Sequence, residues 1–159
     1  DGGRNFYQKQ PKEAFPVCDF GYIDTANKTE VRGEGGKTGI FYLALGDAGL
    51  YKLCYDTKTE EIHVKRLTDT GDACYRMGLG VIGEDRDYLT EEKAIYFCGR
   101  LEGEYGFYRT FDEGKSYERL NQDNQMYGEI NSIDGDKRKF GRFFLATGSR
   151  GVLYGEMKR

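Results

Sequence analysis

The sequence predicts an all-β fold: about three four-stranded antiparallel blades, part of a larger propeller. Three observations carry this. Short aromatic-aliphatic runs with period two recur along the 159 residues, and no stretch of helical length shows an apolar stripe. Twenty-three glycines against two prolines mark many tight turns that need positive φ. The pieces also repeat: an aromatic-aliphatic strand, a glycine turn, then Gly followed by a hydrophobic pair. That entry recurs at Gly49, Gly106 and Gly151, at intervals of roughly fifty residues, the length of a propeller blade.

The elements follow in order. NFYQKQ (5–10) reads as the last strand of a preceding or closing blade. A first blade, 15–68, holds VCDFGYI, GIFYLAL, GLYKLCY and IHVKRL. A second, 73–121, holds YRMGLGVI, AIYFCGRL, GFYRTF and SYERL. A third, 127–159, has three strands: GEINSI, GRFFLATG and GVLYGEM. Closed propellers have about four to eight blades, so the remainder of a longer ring, or self-association of copies, is expected to complete this one. A generic β-sandwich is the competing reading, but it does not require the repeated glycine-aromatic strand entry.

Composition narrows the function classes. Charged residues reach 32% and mean hydropathy is -0.74, yet aromatics make up 14%, which indicates a folded domain with a wet surface. A net charge of -3 gives no basic footprint for nucleic acid or an anionic membrane. No apolar run approaches bilayer length, and DGGRNF does not read as a signal peptide, so a mature or trimmed piece is expected. Cys18, Cys54, Cys74 and Cys98 have no CxxC spacing and His63 is the sole histidine, which argues against zinc. No metal or cofactor is expected. The cysteines read as small buried side chains or as one or two disulfides, and their number does not choose between these.

One motif stands out in GFYRTFDEGKSYERL. Thr110, Asp112, Gly114, Ser116 and Tyr117 are spaced as hydroxyl, x, Asp, x, Gly, x, hydroxyl, aromatic: the pattern of an Asp-box, or BNR repeat. It falls in the turn between the third and fourth strands of a blade. Asp112 is expected to accept turn amides, Gly114 to supply the permissive φ and Tyr117 to pack under the hairpin. A carboxylate saturated in this way stays ionised and makes a poor catalyst. DGGRNF resembles the second half of another copy. CYDTKTEEIHV is a degenerate one that keeps Asp56 but loses the glycine.

Asp-boxes occur in several families. Here the motif leads into Tyr127-Gly128, an Ile133 to Asp136 turn, GRFFLAT from Gly141 to Thr147, and Arg150 to Glu156. This succession resembles the closing segment of glycoside hydrolase family 74, the xyloglucanases, with a shift at Gly148-Ser149-Arg150-Gly151. The resemblance implies two seven-bladed propellers facing across a cleft. It implies inverting cleavage of the xyloglucan backbone by two aspartates, and secretion to the extracellular space. Both catalytic aspartates lie early in their domains and have no counterpart here. No catalytic residue is therefore assigned, and the chain alone is expected to be inactive. A sortilin-like, protein-binding propeller and a non-catalytic β-glucan-binding module are the alternatives.

The residues agree. Inverting hydrolysis needs two carboxyls about 6.5–9.5 Å apart, one with a raised pKa. Glu84-Asp85-Arg86-Asp87, Glu91-Glu92 and Glu102-x-Glu104 read instead as solvated turns beside Lys or Arg. The glycine-rich 33–38 stretch lacks a phosphate-loop frame. Asp47, Tyr75, Tyr105, Gln125, Tyr127 and Arg150 fall on loops expected to share one face. Their mixture of rings, acid, amide and guanidinium suits a plant cell-wall polysaccharide, although strong glucan platforms usually include Trp, which is absent.

Overall fold

A computed structural model describes residues 38–56, 58–86 and 92–157. Among them ten strands form three antiparallel sheets, and no helix occurs. The first sheet has the order β1 (Thr38–Ala44), β2 (Leu50–Asp56), β3 (Glu61–Arg66). The second runs β4 (Ala73–Gly80), β5 (Ala94–Leu101), β6 (Glu104–Thr110), β7 (Glu118–Arg119). The third runs β8 (Ile130–Gly135), β9 (Phe143–Thr147), β10 (Val152–Gly155). The strands expected at 5–10 and 17–23, Cys18 and the 33–37 stretch lie outside the described residues.

Period-two alternation decides how the sheets stack. On β5, Ile95 and Phe97 face the first sheet, where Tyr42, Ala44 and Leu50 meet them. Ala94, Tyr96 and Cys98 point the other way, onto Ile133, Phe143 and Leu145 of the third sheet. The middle sheet is therefore buried on both faces. At least one neighbour is needed to cover each face, which is why these strands read as almost continuous apolar runs. The distant face of the first sheet carries its own cluster of Leu43, Leu45 and Tyr51.

The second and third sheets meet at backbone range. A Cβ on Gly78 would lie 2.3 Å from Ile133 O and 2.4 Å from Asp134 Cα, and one on Gly135 would lie 2.6 Å from Gly80 Cα. Only hydrogen fits there. The seam is then tied by Leu79 N donating to Asp134 Oδ1 at 3.1 Å and Val81 N to Asp136 O at 3.0 Å.

One strand is shorter than the sequence suggests. SYERL is expected to be extended over 116–120, but β7 pairs only at Tyr108↔Arg119 and Arg109↔Glu118. Asp112 holds Ser116 in the preceding loop, and Tyr117 turns away to donate to Leu67 O at 2.7 Å. Beyond β7, Leu120 N still donates to Phe107 O (2.7 Å), and Asn121 Oδ1 accepts the Phe107 amide at 2.7 Å. Cys54, Cys74 and Cys98 are thiols, and the latter two are buried.

Candidate functional site

The Thr110–Tyr117 loop is a closed hydrogen-bond circuit. Asp112 Oδ1 accepts Thr110 Oγ1 at 2.8 Å and Ser116 N at 2.9 Å, while Oδ2 accepts Ser116 Oγ at 2.6 Å. Gly114, with φ +83, donates its amide to Thr110 Oγ1 at 3.0 Å. Ser116's hydroxyl, then its amide, hold the Asp112 carboxyl down at about 2 against a small opposing effect of burial. Tyr117 lies edge-on to Phe97 with centroids 5.7 Å apart. Its bond to Leu67 O, beyond β3, also fastens the loop to the first sheet.

The same device recurs with less of the motif. Asp56 Oδ1 accepts the amides of Lys58 (2.8 Å) and Thr59 (3.5 Å), and Glu60 takes the left-handed turn at φ 58 in place of glycine. Asp136 Oδ1 accepts the amides of Arg138 and Lys139 at 2.8 and 3.2 Å.

A pH dependence follows for Asp112. Its folded pKa lies below the ordinary value of 3.8, so its stabilisation is complete above about pH 4 and is lost as pH falls through about 2. Asp112→Asn is expected to cost ~1 kcal/mol at pH 7, the scale of a capping hydrogen bond, with the gap from wild type closing between pH 4 and pH 2. Urea unfolding across that range checks both the size and the direction.

At the other end of β6 the structure brings together three of the predicted binding residues. Tyr75 donates its hydroxyl to Asp47 Oδ1 at 2.9 Å, and its ring centroid lies 6.4 Å from that of Tyr105. A fourth member, Arg100, donates from Nη2 to the Tyr75 hydroxyl at 2.7 Å and lies 3.7 Å from Asp47 Oδ1. Sequence reasoning missed Arg100 because a charged residue near a strand end reads as solvated. Its signal was the register: Arg100 stands directly opposite both Ala73 and Tyr105. Burial raises the Tyr75 hydroxyl, helped by Asp47 and opposed by Arg100; burial and then Cys98 push Tyr105 up to about 12.

The other predicted residues are distributed differently. Tyr127, at φ 54, stacks on Phe107 with centroids 6.3 Å apart and planes 8° from parallel. Gln125 closes its own turn, its Oε1 accepting Gln122 N at 3.0 Å. Arg150 is exposed on the β9–β10 turn, where its amide donates to Thr147 Oγ1 at 2.9 Å.

Among the described residues four carboxyls are displaced, all downward: Asp56 by the Lys58 amide, Asp112 as above, Asp136 against its burial by the Arg138 and Lys139 amides, and Glu156 by Lys139 and Arg142. A general acid needs the opposite displacement. Glu84, Asp85, Glu92, Glu102 and Glu104 are exposed, while Asp87 and Glu91 lie outside the described residues. His63 lies on β3, 3.6 Å from Glu61. Among the described residues no cluster of His, Cys, Asp and Glu is arranged to hold a metal ion.

No protein-family model matches the chain. It is 29% identical over 163 residues to a xyloglucanase of Acetivibrio thermocellus, covering 97% of this chain and 18% of that protein. It is also 29% identical to an oligoxyloglucan-reducing end-specific xyloglucanase of Emericella nidulans, covering 99% of this chain and 18% of that one. Among solved structures, the family 74 xyloglucanase of Xanthomonas campestris superposes with a TM-score of 0.61 at 26% identity, over 82% of this chain and 17% of that one. A family 74 enzyme of Niastella koreensis gives a TM-score of 0.59 at 25% identity, over 78% and 17%. The chain thus spans under a fifth of the length of these relatives. In sequence and in fold, it is a relative of the glycoside hydrolase family 74 xyloglucanases, matching one segment of them.

Proposed function

We propose that the chain is the C-terminal propeller segment of a secreted, inverting xyloglucan hydrolase, serving as scaffold and cleft wall while other parts of the polypeptide supply both catalytic acids. The observation that carries this is the alignment of almost the whole chain with one portion of proteins named as xyloglucanases. The downward displacement of Asp56, Asp112, Asp136 and Glu156 supports a non-catalytic role. So does the capping circuit of Asp112, which fits a structural Asp-box. The far face of the third sheet supports a longer ring. Phe144 and Tyr154, opposite one another, and Val152 are exposed there, an apolar face of the kind that neighbouring sheets cover elsewhere in the fold. On this reading Asp47, Tyr75 and Tyr105, which lie together, line a polysaccharide groove, Gln125, Tyr127 and Arg150 are separate contacts along it, and the segment's partners are xyloglucan and the remainder of the enzyme.

The test is hydrolysis by the longer polypeptide that carries this segment. Incubation with xyloglucan is expected to release oligosaccharides whose new reducing ends first appear as the α-anomer by NMR, the outcome of inversion at a β-linkage. Absence of hydrolysis on xyloglucan and on unsubstituted β-1,4-glucan would contradict the assignment.

A further inference from the structure

We propose that Asp47, Tyr75, Arg100 and Tyr105 form one binding site for a pyranose ring, with Arg100 donating to one ring hydroxyl, Asp47 accepting from its neighbour, and Tyr105 facing the apolar side of the sugar. This rests on the reading of the chain as part of a polysaccharide-acting protein and names the part of the proposed groove that grips sugar.

The backbone builds this site by a specific irregularity. In the β4–β5 pairing, Cys74 stands opposite Gly99 and Arg76 opposite Cys98, so Tyr75 is an extra residue in a β-bulge. A bulge re-aims the side chain it carries and frequently lies beside functional sites. Gly99 accommodates the irregularity, since a Cβ there would lie 1.9 Å from Ala73 O. The Gly46↔Cys74 bridge holds the β1–β2 turn, and with it Asp47, against the start of β4. Arg100 and Tyr105 are direct cross-strand partners on β5 and β6. Four side chains from two sheets thus converge at one sheet end.

The electrostatics suit a ligand better than a stability role. The Asp47 side chain is 84% exposed and that of Arg100 43%, and a surface pair of this kind contributes only about 0–1 kcal/mol. Arg100 reaches both Tyr75 and Asp47 through Nη2, and among the described residues its Nε and Nη1 hydrogens meet no acceptor. The Tyr75 hydroxyl fixes the carboxylate and the guanidinium relative to one another before any ligand arrives, which lowers the ordering cost of binding. Arg100 Nη2 lies 3.7 Å from Asp47 Oδ1, so the guanidinium that carries the open donors stands beside the carboxylate, as two neighbouring equatorial hydroxyls of a pyranose require. Tyr105 is one of the exposed large apolar side chains among the described residues, and its ring offers the C–H face of the sugar a flat partner.

The experiment is affinity electrophoresis of the full chain in gels with and without xyloglucan, with thermal unfolding of each variant as the folding control. Wild type is expected to be retarded by xyloglucan. Arg100→Met and Asp47→Asn are each expected to raise the apparent Kd at least fivefold without moving the Tm by more than a few degrees. Asp47→Asn alters a solvent-facing group, so it remains informative if Arg100→Met fails to fold. Folded variants with wild-type retardation would overturn the site and leave the functional assignment standing. An unretarded wild type, alongside a longer polypeptide that hydrolyses xyloglucan, would do the same. Failure of the longer polypeptide to hydrolyse any β-1,4-glucan would instead strike the functional assignment.

Discussion

Replacing Phe97 by alanine is expected to cost about 3–5 kcal/mol of folding stability, a larger effect than removing the Asp112 cap. Phe97 is completely buried. Its ring lies 5.5 Å from that of Tyr108 at 28° and meets Tyr117 edge-on at 84°. It therefore joins the middle sheet both to the first sheet and to the Asp112 loop. Truncation removes the transferred apolar surface and leaves a cavity that β-sheet backbones on two sides cannot close. A loss of that size is a large share of the ~5–15 kcal/mol that stabilises a typical domain. Urea unfolding of wild type and Phe97→Ala measures it. A difference below about 1 kcal/mol would mean that the first and second sheets do not stack as described.

Gly78→Val is expected to destabilise by about 3 kcal/mol, for the opposite reason of too little space. The backbone of Gly78 does not occupy the left-handed region, so the cost is steric and not conformational. Its missing Cβ is what allows β4 to approach the carbonyl of Ile133 on β8, and a carbonyl in a paired strand cannot swing aside as a side-chain tip can. Gly78→Ala is expected to show a smaller loss in the same direction. If both variants unfold at the wild-type urea midpoint, the close contact between the second and third sheets is wrong.

The strands were legible because each alternates aromatic or aliphatic residues across a glycine-marked turn. AIYFCGRL over 94–101 matches β5 residue for residue. The Thr110–Tyr117 circuit was legible for a similar reason, since a capping carboxylate acts within five residues of its own position. What sequence could not supply is whatever depends on stacking. Gly78 and Gly80 look like ordinary strand glycines until the third sheet is placed beneath them. The late start of β7 was hidden because the Tyr117 hydroxyl finds its acceptor fifty positions away, at Leu67. Arg100 was passed over because its partner Asp47 belongs to another sheet, and Tyr75 gave no sign that it occupies a bulge. Gln125, predicted to face ligand, has its side-chain oxygen engaged by the Gln122 amide, a local bond that competes with any sugar.

Reducing-sugar release from xyloglucan by this chain alone, purified to constant specific content by size exclusion, tests the central claim most directly. If the segment is scaffold and cleft wall without the catalytic acids, the chain is expected to release nothing above buffer, while the longer polypeptide carrying it hydrolyses xyloglucan under the same conditions. Release that co-elutes with the 18.2 kDa chain would contradict that account and require a catalytic carboxyl pair within these 159 residues.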